Sequence, residues 1–312
     1  MIIAPGLVRV LSALVALSLQ LAGWAQVTQI TVTPAADAFV RSLAPDNNYG
    51  AAGSLSVSGS AAVNGSGQAT GSADSLIRFP TSSVAAAAAD AFGADGWVVS
   101  GATLVVNEVG APNNTNFNRG AGAFEIRWLA SANWAEGTGT PNIPTTDGVA
   151  YRDLPSLLNP GVDVSLGRFT NSGANATLTF PLALADGLVS NLLAGADVDL
   201  YLTAASESVG FTFNSRNFGT ASARPSLTIT AAAKPLVRIS SIERLGTSQV
   251  VLRFNTASNW TYTLQGLEGL PPGSPGSWSN LLTVAAKPFD DQAQFADGAT
   301  NRQRFYRLLL SR

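Results

Sequence analysis

The 312-residue chain has no cysteine and no histidine, one methionine, and charged side chains at only 12% of positions. Without cysteine there are no disulfides, thiol nucleophiles or thiolate metal sites, so stability has to come from core packing. Without histidine the usual general base, triad partner and transition-metal ligand are missing together. Hydrolysis by a Ser-His-Asp relay or by zinc-bound water is excluded on composition. A net charge of -2 supplies none of the clustered lysine and arginine that release counterions from nucleic acid, so nucleic acid is not an expected partner. Lysine is nearly absent as well: up to residue 233 every basic side chain is arginine.

Long hydrophobic runs are also missing, with one short exception at the N-terminus. Arg9 is followed by an apolar stretch from Val10 to Leu21, about a dozen residues and too short to span a bilayer. Gly23 and Ala25 are the small residues a signal peptidase accepts ahead of a cut before Gln26. Residues 1–25 therefore read as a secretory signal peptide. The mature chain is expected to be secreted or held at the extracellular surface, with no membrane span after cleavage. Neither a lipobox cysteine nor a C-terminal apolar tail with basic flanks is present to anchor it.

What remains is patterned as strands. Segments rich in Val, Leu, Ile, Thr and Phe recur between Gly, Asn, Ser and Pro clusters, at Gln29 to Thr33, Leu76 to Phe79, Ala102 to Asn107, Phe124 to Leu129, Thr177 to Phe180 and Asp197 to Thr203. Their alternation is period two, as a strand with one face on a core requires. Ser82 to Phe92 and Leu184 to Leu193 read as two short helices, expected to cross an end of the fold and plug its core. The Ala-Ala-Ala-Lys-Pro run at 231–235 marks a boundary, because proline ends a ladder. The expected architecture is all-β: a jelly-roll-like β-sandwich over 26–233, then a smaller all-β sandwich domain over 236–312. The latter has strands at Val237 to Ser240, Val250 to Phe254, Tyr262 to Leu267 and Phe305 to Leu309. Trp260, Trp278, Phe295, Phe305 and Tyr306 are expected to supply most of its core.

Several motifs carry a family resemblance. Ala36-Asp37-Ala38-Phe39-Val40-Arg41, Asn47-Asn48-Tyr49-Gly50 and Leu55-Ser56-Val57 are followed in order by Ser75-Leu76-Ile77-Arg78-Phe79, Gly101-Ala102-Thr103-Leu104 and Asn133-Trp134-Ala135-Glu136-Gly137. Phe213-Asn214-Ser215-Arg216 and Ala223-Arg224-Pro225-Ser226-Leu227 close the series. Over roughly residues 27 to 232 this resembles the DNRLRE domain, an extracellular bacterial and archaeal β-sandwich related to carbohydrate-binding modules. Asn217 departs from it, standing where many members carry Glu. The resemblance implies binding to a polysaccharide or cell-surface glycan, or a part in a surface assembly.

Candidate ligand-binding residues follow from the chemistry of sugars, which bind aromatic faces flanked by planar hydrogen-bonding groups. Trp134 beside a Gly-rich turn, Glu136 and the loop arginine Arg119 are the candidates. The competing reading packs Trp134 over the sandwich edge with Glu136 capping the turn. Arginine forks would suit uronic acid carboxylates, or else pair with the domain's own acids. No organic cofactor is expected. Calcium, which takes six to eight oxygen ligands, would have Asp37, Asp46 and Asn47 to draw on, against a plain solvated turn. Three functional classes stand: a non-catalytic carbohydrate-binding or adhesive protein, a structural surface or matrix protein without glycan affinity, and a hydrolase or lyase using carboxylates such as Glu136.

Overall fold

A computed structural model describes residues 27–64, 66–109, 120–131, 133–171, 176–246, 248–268, 277–298 and 303–311. The expected signal peptide and Arg119 lie outside them. The chain divides into two compact units, Met1–Ala233 and Lys234–Arg312.

The first unit is a β-sandwich. One sheet has four strands in the order β1 (Val27–Val32), β11 (Ser226–Ala233), β5 (Trp97–Asn107), β8 (Thr177–Leu182). The other runs β10 (Gly210–Asn214), β3 (Ser54–Ser58), β4 (Ala73–Phe79), β9 (Val198–Ala204), β6 (Gly122–Trp128), β7 (Val164–Asn171), with β2 (Ala36–Arg41) also paired to β4. All pairings are antiparallel. The period-two pattern is explained by what lies between the sheets. Phe124 sits there with Phe211 stacked at 4.9 Å and Phe180 edge-on at 5.2 Å, among buried Leu55, Ile77, Leu104 and Leu202. Such ring pairs add to the burial of area alone.

The two expected helices form. One, α1, occupies Ser82–Phe92; another, α3, occupies Asp186–Ala194 and starts two residues later than its leucine spacing suggests. They touch each other, and Val84, Ala88, Leu188 and Leu192 reach the main core from them. Between them in sequence lies α2 (Leu154–Leu157), a single turn with Pro155 in its first positions.

The second unit has two three-stranded sheets. They are β12 (Ile239–Leu245), β13 (Gln249–Thr256), β16 (Asp291–Asp297), and β15 (Ser279–Val284), β14 (Thr261–Glu268), β17 (Arg304–Ser311). Among the described residues its buried hydrophobic side chains are Val251, Leu252, Phe254, Trp260, Tyr262, Leu264 and Leu267. This corrects the expected core: of the five aromatics named from sequence only Trp260 is buried, while Trp278, Phe295, Phe305 and Tyr306 are half-buried. Trp278 instead lies under the guanidinium of Arg307, at 4.3 Å.

Candidate functional site

The larger sheet of the first unit is apolar on both faces. Along β4 and β9, Ile77, Leu200 and Leu202 point to the main core, whereas Leu76 and Tyr201 point the other way. On that outer face they join Ala38, Val40, Leu129, Trp134, Val149 and Leu154 in a second cluster. Its cover is one stretch of chain, residues 129–163 between β6 and β7. This cover is held by two polar knots.

Asn48 is the first knot. Fully buried, it donates from Nδ2 to the carbonyls of Glu136 (2.7 Å) and Val149 (2.9 Å), and accepts at Oδ1 from the amides of Gly50 (3.0 Å) and Gly139 (3.2 Å). Every donor and acceptor of the carboxamide is thereby used. The glycine of Asn-Tyr-Gly has a steric reason, since a Cβ on Gly50 would come within 1.9 Å of the Glu136 carbonyl oxygen.

The second knot holds the Trp-x-Glu-Gly turn. The indole Nε1 of Trp134 donates to Asp199 Oδ1 (2.8 Å), which also receives Nε of its cross-strand partner Arg78 (2.9 Å). The Arg78 guanidinium lies 4.7 Å from the Trp134 ring centroid. Glu136 takes Nη1 of Arg216 on both carboxylate oxygens (2.9 and 2.7 Å) and the backbone N–H of Asp37 (3.2 Å). Asp37 in turn accepts the Arg216 amide at Oδ2 (2.7 Å). Burial pushes the Asp37 carboxyl up to about 7; the Arg216 amide opposes this, Glu136 adds to it, and the Arg216 charge opposes it. Burial likewise raises Asp199 to about 6 against the pull of Arg78 and Trp134.

These contacts settle where the sequence candidates lie. Of the two readings of Trp134, ligand platform or packing over the sandwich edge, its burial matches the second: it is 8% exposed, because the second apolar cluster needs its ring and Arg78 covers one face. Glu136 is engaged by Arg216. Asn217 donates its amide to the Gly50 carbonyl (2.9 Å), a bond a glutamate there would be unable to give. The calcium candidates take different partners: Asp37 faces Arg216, exposed Asp46 pairs with Arg152 (2.8 Å), and Asn47 donates to Tyr49 Oη (3.3 Å). Among the described residues no group of three or more Asp or Glu is placed to hold a metal ion.

Sequence reading missed the concave places. Where the 129–163 cover stops, the outer face is left open as a groove of about 720 Å³. Its floor is Asp74, Tyr201 and Thr203, and its wall is Tyr151, Leu154, Pro155 and Leu158, with Glu207 at the rim. The nearby Thr203 and Tyr201 hydroxyls pull the Asp74 carboxyl down, but its own burial outweighs them and raises it to about 6. The phenol of Tyr201 is pushed upward by burial and by Asp74. A second depression of about 740 Å³ is built wholly from the cover, with Asn133, Asp147 and Asn159 around the small exposed edge of Trp134. The signal for the groove in the sequence is Asp74, in a strand whose other outward positions are Leu76 and Arg78.

The first unit thus falls in a broad structural class, the two-sheet antiparallel β-sandwich, here with a groove on one sheet face. Consistent with that class, residues 28–142 match the family model of Carbohydrate-binding module family 96. The match runs from β1 through β6 into the cover, and supports the broader relationship in the resemblance drawn from sequence, a carbohydrate-binding-module-like domain. No curated protein matches the chain.

Proposed function

We propose that this is an exported, non-catalytic carbohydrate-binding or adhesive protein that recognises an extracellular polysaccharide through the first unit. The observation that carries the reading is the groove on the outer sheet face, within a domain whose first half matches a carbohydrate-binding family. Sugar rings need an apolar wall for their C–H faces and polar groups for their hydroxyls. Tyr151, Leu154 and Pro155 supply the first; Asp74, Thr203 and Glu207 supply the second. Trp134 and Glu136 serve as framework, fixing the cover that walls the groove. The lack of histidine and the tying of Glu136 to Arg216 favour binding over turnover.

The test is a labelled 26–312 chain on a glycan array, together with pull-down on insoluble polysaccharides and an assay for released reducing ends. Retention on at least one glycan without product release is expected; retention on none overturns the reading. Protein recovered from culture medium should begin at Gln26.

A further inference from the structure

We propose that the outer face of the sheet β15-β14-β17 in the second unit is a glycan-binding face of its own, so that the chain holds polysaccharide at two places. The face is argued from the second unit alone; the two-place grip rests on the carbohydrate-binding reading of the first unit above.

The first ground is what points outward. Along β14, Tyr262 and Leu264 turn to the core, which leaves Thr263 and Gln265 on the opposite side. Register places Arg307 of β17 and Asn280 of β15, both exposed, on either flank of Gln265. The three side chains form one continuous row across the sheet: Arg307 Nε donates to Gln265 Oε1 (2.7 Å), and Gln265 Nε2 donates to Asn280 Oδ1 (2.6 Å). Each link uses one donor. Among the described residues neither the terminal nitrogens of Arg307 nor Nδ2 of Asn280 meet a protein acceptor, so the row keeps N–H groups for the oxygens of a ligand.

The second ground is a contrast inside the same unit. On the other sheet Arg253 begins a row of the same kind, with Nε on Gln294 Oε1 (3.1 Å), but Glu243 closes it by taking Nη1 at 2.7 Å. Arg307 has no carboxylate in ion-pair reach among the described residues; its guanidinium lies over the Trp278 ring at 4.3 Å instead. A fork fixed by an indole and an amide is pre-organised, so little side-chain freedom is lost when it bonds a ligand. The third ground is the apolar frame. Phe305, in register with Leu267, borders the row on one side, and Leu309, 41% exposed and in register with Thr263, borders it on the other. Planar hydrogen-bonding groups between apolar edges are what the hydroxyls and C–H faces of a pyranose chain require.

Affinity electrophoresis of the full chain tests this, with gels carrying mixed-linkage β-glucan, xylan, galactomannan, polygalacturonate, alginate or a sulfated galactan. The expected result is retardation by at least one of them, weakened about tenfold or more in the double variant Arg307→Ala with Asn280→Ala, because two linked sites hold a polymer more tightly than either alone. Both positions are exposed, and an unchanged thermal melt checks that the unit stays folded. Should that melt shift, Asn280→Ala alone carries the test and should weaken retardation about threefold. Tyr151→Ala in the groove should leave a residual retardation that vanishes only when all three changes are combined. Retardation that is unchanged by the second-unit variants overturns this inference and leaves the reading of the first unit standing. Retardation lost in them but unchanged in Tyr151→Ala supports the second face and overturns the groove as a site. Retardation by none overturns both.

Discussion

At the residue scale, Asn48 shows what the Asn-Tyr-Gly motif is for. One carboxamide joins the loop after β2 to two separate points of the cover, with both donors and both acceptor positions filled. Asn48→Asp keeps the shape but turns an oxygen toward the carbonyls of Glu136 and Val149. The expected cost is about 3 kcal/mol, from two lost donors and a buried charge. In thermal melts this should appear as a Tm lowered by roughly 6 to 12 °C, given the size of the unit. The residue types of the site were legible in the sequence, since Trp134, Glu136 and the Asn-rich turn were all singled out. Their role was not. A tryptophan beside glycines reads the same whether its ring meets solvent or a second apolar layer, and only the long-range partners Arg78 and Asp199 decide between them.

Strands and helices were the most legible part of the chain. Period two located β1, β4, β5, β6, β8 and β9, and the alanine-rich run located α1 to the residue. Strand β7 escaped because Gly167 and a register shift opposite Ile126 and Arg127 break its alternation. Strands β15 and β16 escaped because their outward positions are polar and their inward ones small or half-buried. Packing also overrules propensity in α3. Gly187 in its first turn would ordinarily gain up to about 1 kcal/mol on replacement by alanine. Here an added Cβ meets the Trp128 ring at 2.2 Å. Gly187→Ala is therefore expected to destabilise by about 1 to 3 kcal/mol, measured in urea denaturation with an unchanged m-value.

For the molecule as a whole, three carboxyls in the first unit, Asp37, Asp74 and Asp199, are raised by burial to about 7, 6 and 6 from an ordinary 3.8. Between about pH 4 and 7 the folded state keeps protons that the unfolded chain has released. Their contribution is thus complete below pH 4 and is lost as pH rises through 6 and then 7. Asp147, lowered to about 2 by its bonds from Thr145 and Thr138, acts in the opposite sense only below about pH 4, outside that window. Unfolding free energy should accordingly be higher at pH 5 than at pH 8, by at least about 2 kcal/mol. Asp37→Asn should flatten the upper part of that slope, and a stability maximum at alkaline pH would contradict the assignment.

One side of the groove is made by residues 151–158, which belong to the 129–163 cover. That segment is a single detour that leaves β6 and returns at β7, its attachments made by Asn48, Asp199 and the apolar side chains it lays down. Lengthening or trimming it would lay bare more or less of the same strands without disturbing the sandwich. The open area of this sheet face is then a dial turned by loop length, adjustable without redesigning the scaffold.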